Sequence, residues 1–134
     1  MGNPALIKAM NDVRYSYNSY PMTRLSVALG VAALEDETYL QDTVAKVIET
    51  REWTKEQLQR LGFSFRDSRT NFIFAAHESV PAVQIFDALR EKHIFVRHFS
   101  QKRIDNYLRI SIGTREEMER FIEETEKIVA NAGK

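Results

Sequence analysis

Tyr107-Leu108-Arg109-Ile110-Ser111-Ile112-Gly113-Thr114-Arg115-Glu116-Glu117 is the stretch that decides how the chain is read. Its first six residues alternate, with Leu108, Ile110 and Ile112 on one face of an extended strand and Tyr107, Arg109 and Ser111 on the other. Thr114 and Glu117 then stand at capping-box spacing, so a helix starts where the strand stops. Met118, Phe121, Ile122, Thr125, Ile128 and Val129 recur at helical spacing and predict the inner face of a terminal helix.

Upstream, Ile94-Phe95-Val96 reads as another strand, joined to the first by the polar loop from Ser100 to Asn106. A helix precedes it, with Ser79 as a cap, Pro81 in its first turn and Val83, Phe86, Ala88 and Leu89 as its apolar face, ending near Lys92. His93 stands where a helix C-terminus usually takes Gly, and a left-handed cap residue is the simpler reading there than a metal ligand. Phe63-Ser64-Phe65 and Asn71-Phe72-Ile73-Phe74-Ala75-Ala76 predict two strands that pair around the turn Arg66-Asp67-Ser68-Arg69. Before them, Leu40, Val44, Val47, Ile48, Arg51, Leu58 and Leu61 mark one stripe of a long helix that begins at Thr38 and stops at Gly62. Helix, strand, strand, helix, strand, strand, helix is the order of an α+β fold: one small mixed or antiparallel sheet with helices packed on one face.

The residues before Glu35-Asp36-Glu37 have a different character. Asn3 and Pro4 can cap and open a short helix, and Arg14-Tyr15-Ser16-Tyr17-Asn18-Ser19-Tyr20-Pro21 reads as an ordered loop. From Met22 to Leu34 the apolar and small residues surround most of a helix, which is expected to be buried on several sides and to self-associate if left uncovered. The division expected is an N-terminal helical appendage, residues 1–35, and a self-sufficient domain, residues 36–134.

With 134 residues, 43% of them hydrophobic, the chain holds material for one real core and too little for two. Lys plus Arg equals Asp plus Glu at 19 each, so there is no net field to attract nucleic acid or an anionic membrane, and charge-based recognition has to be local. The absence of cysteine removes thiolate chemistry and fits a cytoplasmic setting. No signal peptide or spanning segment is read, no phosphate-loop glycine pattern occurs, and His77, His93 and His98 do not form a metal motif.

One local concentration of charge stands out: Arg97, His98, Lys102, Arg103 and Arg109, with only Asp105 against them. Arg109 lies in mid-strand, and a guanidinium there needs an anion or solvent. An internal Glu and a ligand carboxylate both satisfy that need. Arg97 closes its strand, where an ordinary exposed edge charge is the simpler reading.

Asn3-Pro4-Ala5-Leu6-Ile7, Tyr17-Asn18-Ser19, Ala33-Leu34-Glu35-Asp36, Ser68-Arg69-Thr70-Asn71-Phe72, Val96-Arg97 and Tyr107 to Thr114 together resemble the histidinol-phosphate aminotransferase family of fold-type I pyridoxal-phosphate enzymes, in that family's order and spacing. The resemblance implies that Arg109 binds the α-carboxylate of the amino-acid substrate, that Arg97 helps hold the distal phosphate, and that Tyr17 lines the substrate pocket. It implies amino transfer between histidinol phosphate, or a related amino acid, and 2-oxoglutarate, with pyridoxal phosphate as cofactor in a full-length homodimer. In that family the cofactor lysine, the acid facing the pyridinium nitrogen and the phosphate clamp lie upstream of the Asn-Pro helix. None of Lys8, Lys46, Lys55, Lys92, Lys102, Lys127 and Lys134 lies in a context resembling that lysine. The expectation is therefore a C-terminal portion with no catalytic residue of its own, no bound pyridoxal phosphate and no activity alone. Two alternatives remain: a stand-alone, non-enzymatic module that binds a small anion or protein partner, and part of another fold-type I enzyme, a decarboxylase or an aromatic aminotransferase.

Overall fold

A computed structural model describes residues 2–17 and 20–132. Its helices and strands are α1 (Pro4–Tyr17), α2 (Arg24–Glu35), α3 (Glu37–Arg60), β1 (Phe63–Phe65), β2 (Phe72–His77), α4 (Ala82–Glu91), β3 (Arg97–His98), β4 (Leu108–Ser111) and α5 (Arg115–Ala132). The chain divides into two compact units, Met1–Leu40 and Gln41–Lys134.

In the second unit the strands form one antiparallel sheet in the order β1-β2-β4-β3. The two-residue period sorts its side chains. Ile73, Ala75, Leu108 and Ile110 point to one face and are buried with Leu58 of α3, Ile85 and Leu89 of α4, and Met118 and Phe121 of α5. Three helices thus cover one face of an α+β sheet, and each fully buried Leu or Ile contributes about 1.5–3 kcal/mol. The opposite face presents the half-buried Phe72, Phe74, Tyr107 and Arg109.

The capping box at α5 is formed as read: Glu117 Oε2 accepts from the Thr114 amide at 2.8 Å and Thr114 Oγ1 from the Glu117 amide at 3.3 Å. Gly113 makes room for it, since a Cβ there would run into the Glu117 carboxylate. Gly62 ends α3 at φ +82 as expected, and a side chain there would press on Glu78 and His77. His93 has φ 57, and the Ile94 amide bonds back to the Leu89 carbonyl at 2.9 Å, the left-handed end of α4.

Several details differ from the sequence reading. The third strand is Arg97–His98 rather than Ile94-Phe95-Val96, because pairing with β4 begins only where Arg97 meets Arg109. Ser79 does not cap α4; Asn106 Oδ1, 24 residues away, accepts from the Ala82 amide at 2.9 Å. On α4, Ile85 is fully buried whereas Val83 is half exposed.

In the first unit, Asn3 Oδ1 accepts from the Ala5 amide at 2.9 Å and α1 opens at Pro4. The helix continues through Arg14 to Tyr17, which had been expected as loop, and Asn18 and Ser19 lie outside the described residues. Aromatic residues carry only a small helix penalty, and the Lys8–Asp12 pair at 2.7 Å supports the turn before them. The expected burial of α2 is not seen: none of its residues is buried, and Leu25, Leu29 and Leu34 are 69%, 62% and 74% exposed. An apolar circumference states what a helix needs without specifying what supplies it.

Candidate functional site

β4 places Arg109 on the helix-free face of the sheet because its neighbours Leu108 and Ile110 are committed to the core. Antiparallel register then sets Phe74 of β2 on one side of it and Arg97 of β3 on the other. Two like charges directly opposite each other on one face destabilise a sheet unless solvent or an anion intervenes. Neither guanidinium forms an ion pair among the described residues. Each is held by a ring instead: Arg109 Cζ lies 5.7 Å from the Phe72 centroid and Arg97 Cζ 5.1 Å from that of Phe99. Phe74 meets the second of these rings, edge-on to Phe99 at 5.9 Å, and stacks on Tyr107 at 4.7 Å. The result is a pair of cations oriented by aromatic faces and open to a ligand, an arrangement suited to carboxylate or phosphate.

The loop between the two arginines is pinned. The His98 Nε2–H donates to the Asp105 carbonyl at 2.7 Å, and the Asn106 amide oxygen ties the loop to the start of α4. Sequence reasoning missed both roles, which depend on partners fixed only by the fold.

On the turn before β2, a charged cluster fastens the sheet to α3. Lys55 Nζ, almost buried, reaches Asp67 Oδ1 at 2.6 Å and both Glu52 oxygens at 3.0 Å, while Arg51 Nη1 donates to the Thr70 carbonyl at 3.1 Å. Hydrogen bonds from Lys55 and then Arg51 hold the Glu52 carboxyl below its ordinary value, and the Lys55 bond does the same to Asp67. Burial pushes the Lys55 amine down, but the bonds to Asp67 and Glu52 together outweigh it and the amine ends above its ordinary value. Lys55 is the only lysine buried among the described residues, and a charged, doubly paired amine does not suit a Schiff-base nucleophile. The described residues contain no group of three or more His, Cys, Asp or Glu placed to hold a metal, and no described helix is long and apolar enough to cross a membrane.

Of the three residues singled out from sequence, the fold brings Arg97 and Arg109 together. Tyr17 belongs to the other compact unit, at the last turn of α1, and is 92% exposed.

Comparison with known proteins agrees with this architecture. The sequence model of a family described as aminotransferase class I and II matches residues 1–124. The histidinol-phosphate aminotransferase of Brachyspira hyodysenteriae is 45% identical over 131 residues, which are 98% of this chain and 37% of that protein. The chain therefore spans little more than a third of the length of such relatives. Among solved structures, the histidinol-phosphate aminotransferase of Sinorhizobium meliloti in complex with pyridoxal-5'-phosphate superposes with a TM-score of 0.76 at 25% identity, covering 98% of this chain and 36% of that one. A decarboxylase from Sulfurospirillum multivorans shares the fold, with a TM-score of 0.69 at 19% identity over 96% of this chain and 38% of its own.

Proposed function

From the premise that this chain belongs to the class I and II aminotransferases, we propose that it is the C-terminal, substrate-carboxylate-binding portion of an enzyme that moves an amino group between histidinol phosphate, or a closely related amino acid, and 2-oxoglutarate. Residues 36–134 are its small domain and residues 1–35 the last elements of a larger one. The observation that carries this reading is the Arg97–Arg109 pair, two guanidiniums opposed across a ladder with no carboxylate of the chain between them.

Arg109 receives the α-carboxylate through two parallel charge-assisted bonds, and β4 with Phe72 fixes the plane of its fork. Arg97 takes the distal phosphate, and by the family resemblance Tyr17 is a further substrate-binding residue of the longer enzyme. Pyridoxal phosphate is the cofactor of the reaction. The lysines here do not fit it, Lys55 being held by Glu52 and Asp67, so no residue of this chain is assigned to the cofactor, and the chain alone is expected to be inactive. The longer protein acts as a homodimer in the cytoplasm.

Arg109→Lys in the longer enzyme tests the assignment, because lysine keeps the charge and loses the fork. Both half-reactions should fall by roughly two to three powers of ten in kcat/KM, the loss typical of a hydrogen-bonded charge pair. Arg97→Ala should weaken the phosphorylated substrate and largely spare 2-oxoglutarate. Indifference of both half-reactions to Arg109→Lys would remove the carboxylate role and leave Arg109 a structural one.

A further inference from the structure

A cavity of the second unit lies beside the two opposed arginines and shares Phe72 with them. It is an open groove of about 730 Å³ between the β1–β2 turn and the loop before β4, within the size range of small-molecule sites, and neither Arg97 nor Arg109 lines it. Its wall includes Phe74 and Tyr107, whose rings stack with centroids 4.7 Å apart and planes 12° apart. Arg66, Arg69 and Arg103 border it, all exposed and all without an ion-pair partner among the described residues. The one acid on the lining, Asp67, is bound to Lys55 Nζ at 2.6 Å, so its charge is already matched. In a chain with 19 charges of each sign, three guanidiniums around one groove against a single carboxylate, which Lys55 binds and Arg69 also attracts, are a local excess.

The groove is also organised. Arg103 is held at φ 80, a conformation that residues with side chains rarely adopt, between the Ile104 amide bonded to the Gln101 carbonyl and the Tyr107 amide bonded to the Ile104 carbonyl, both at 3.1 Å. On the other wall, Ser68 Oγ donates to the Phe72 carbonyl at 2.6 Å and sets the turn that carries Arg66 and Arg69. A bare anion would use only the arginines and leave the stacked rings idle; a planar ring would use only the rings.

We propose that this groove is a second ligand site, distinct from the Arg97–Arg109 pair, and that it takes a phosphate joined to a planar ring, a small molecule of the nucleotide class. The ring lies along the Phe74–Tyr107 stack and the phosphate is forked by Arg66, Arg69 and Arg103. The site goes beyond the amino-transfer reading and does not depend on it.

Titration of the chain with adenosine monophosphate, adenosine or inorganic phosphate, followed by amide NMR, tests the proposal. Adenosine monophosphate should shift residues 64–70 and 103–107 saturably, and either half alone should bind at least about tenfold more weakly, as the loss of one charged hydrogen bond or one stack would give. The Arg66→Ala/Arg69→Ala double variant should weaken binding by about tenfold or more, and so should Arg103→Gly, whose backbone suits φ 80. Lys127→Ala, on α5 and outside the groove lining, should leave binding as it was. The proposal is overturned by no saturable shift, by inorganic phosphate binding as well as the nucleotide, or by loss of binding in Arg109→Ala with retention in the Arg66→Ala/Arg69→Ala variant. The last result would move the ligand to the arginine pair without affecting the family assignment.

Discussion

Arg97 and Arg109 stand directly opposite each other across the β3–β4 ladder, each beside a phenyl ring and neither beside a carboxylate. A sheet keeps two opposed cations at a cost that an anion between them removes. A dicarboxylate such as 2-oxoglutarate should therefore raise the unfolding free energy of the chain by about 1.4 kcal/mol when present at ten times its Kd, and its thermal midpoint with it. Arg109→Gln should abolish most of that increment in the same thermal-shift series. An unchanged increment in the variant would place the dicarboxylate elsewhere.

His77 is buried at the end of β2 and bonded on both ring nitrogens. Its Nδ1 accepts from the Ser79 and Val80 amides at 3.2 and 3.0 Å, which leaves the proton on Nε2, where it donates to the Leu61 carbonyl at 2.8 Å. His77→Phe should keep the edge contact with Phe63 and strand these three backbone groups. A loss of about 2–4 kcal/mol in denaturant unfolding is expected, since each buried orphan costs roughly 1–3 kcal/mol and water reaches some of them. A loss under about 0.5 kcal/mol, the range of ordinary surface changes, would show that the amides find other partners.

What the sequence made legible is what depends on near neighbours. The alternation around Arg109, the Thr114–Glu117 capping box and the Gly62 stop are each specified within a few residues, and all three appear in the fold. What it hid depends on distant partners. Asn106 replaces Ser79 at the start of α4, Lys55 finds Asp67 twelve residues on, and β3 lies past the apolar Ile94-Phe95-Val96 because register is set from β4. At the candidate site the presence of a mid-strand arginine could be read, but its pairing with Arg97 could not, since opposition across a ladder is a tertiary fact. The unpaired arginines around the groove carried no local signal either, because they come from two separate turns.

The Lys55 cluster gives stability an acid dependence. The carboxyls of Glu52 and Asp67 titrate lower in the folded chain than their ordinary values of 4.5 and 3.8, so their contribution is complete above those values and is lost as pH falls through the lower folded ones. Lys55 is raised above 10.5, so its contribution is complete below that value and is lost as pH rises through the higher folded one. Lys55→Met should flatten the decline of stability below about pH 4.5 in urea titrations run from neutral to acid pH. A slope identical to that of the unsubstituted chain would show that other carboxylates set it.

His93 closes α4 in the left-handed region at φ 57, where its Cβ is crowded by the backbone and glycine's absence of one is an advantage. The residue is exposed, and the motif it completes, with the Ile94 amide on the Leu89 carbonyl and the His93 amide on the Arg90 carbonyl, uses only main-chain atoms. Replacing the side chain therefore removes strain without removing a bond. Against that gain stands the greater freedom of glycine in the unfolded chain, worth roughly 0.5–1 kcal/mol, set beside a left-handed penalty of roughly 1–2 kcal/mol. His93→Gly should stabilise the domain by about 0.5–1 kcal/mol, the difference of the two effects, and His93→Val should destabilise it, since a β-branched residue fits that region worst. Chemical denaturation of the three chains ranks them directly. The order Gly, His, Val is expected, and a glycine variant less stable than the original would mean that the His93 ring makes a stabilising contact that outweighs its backbone strain.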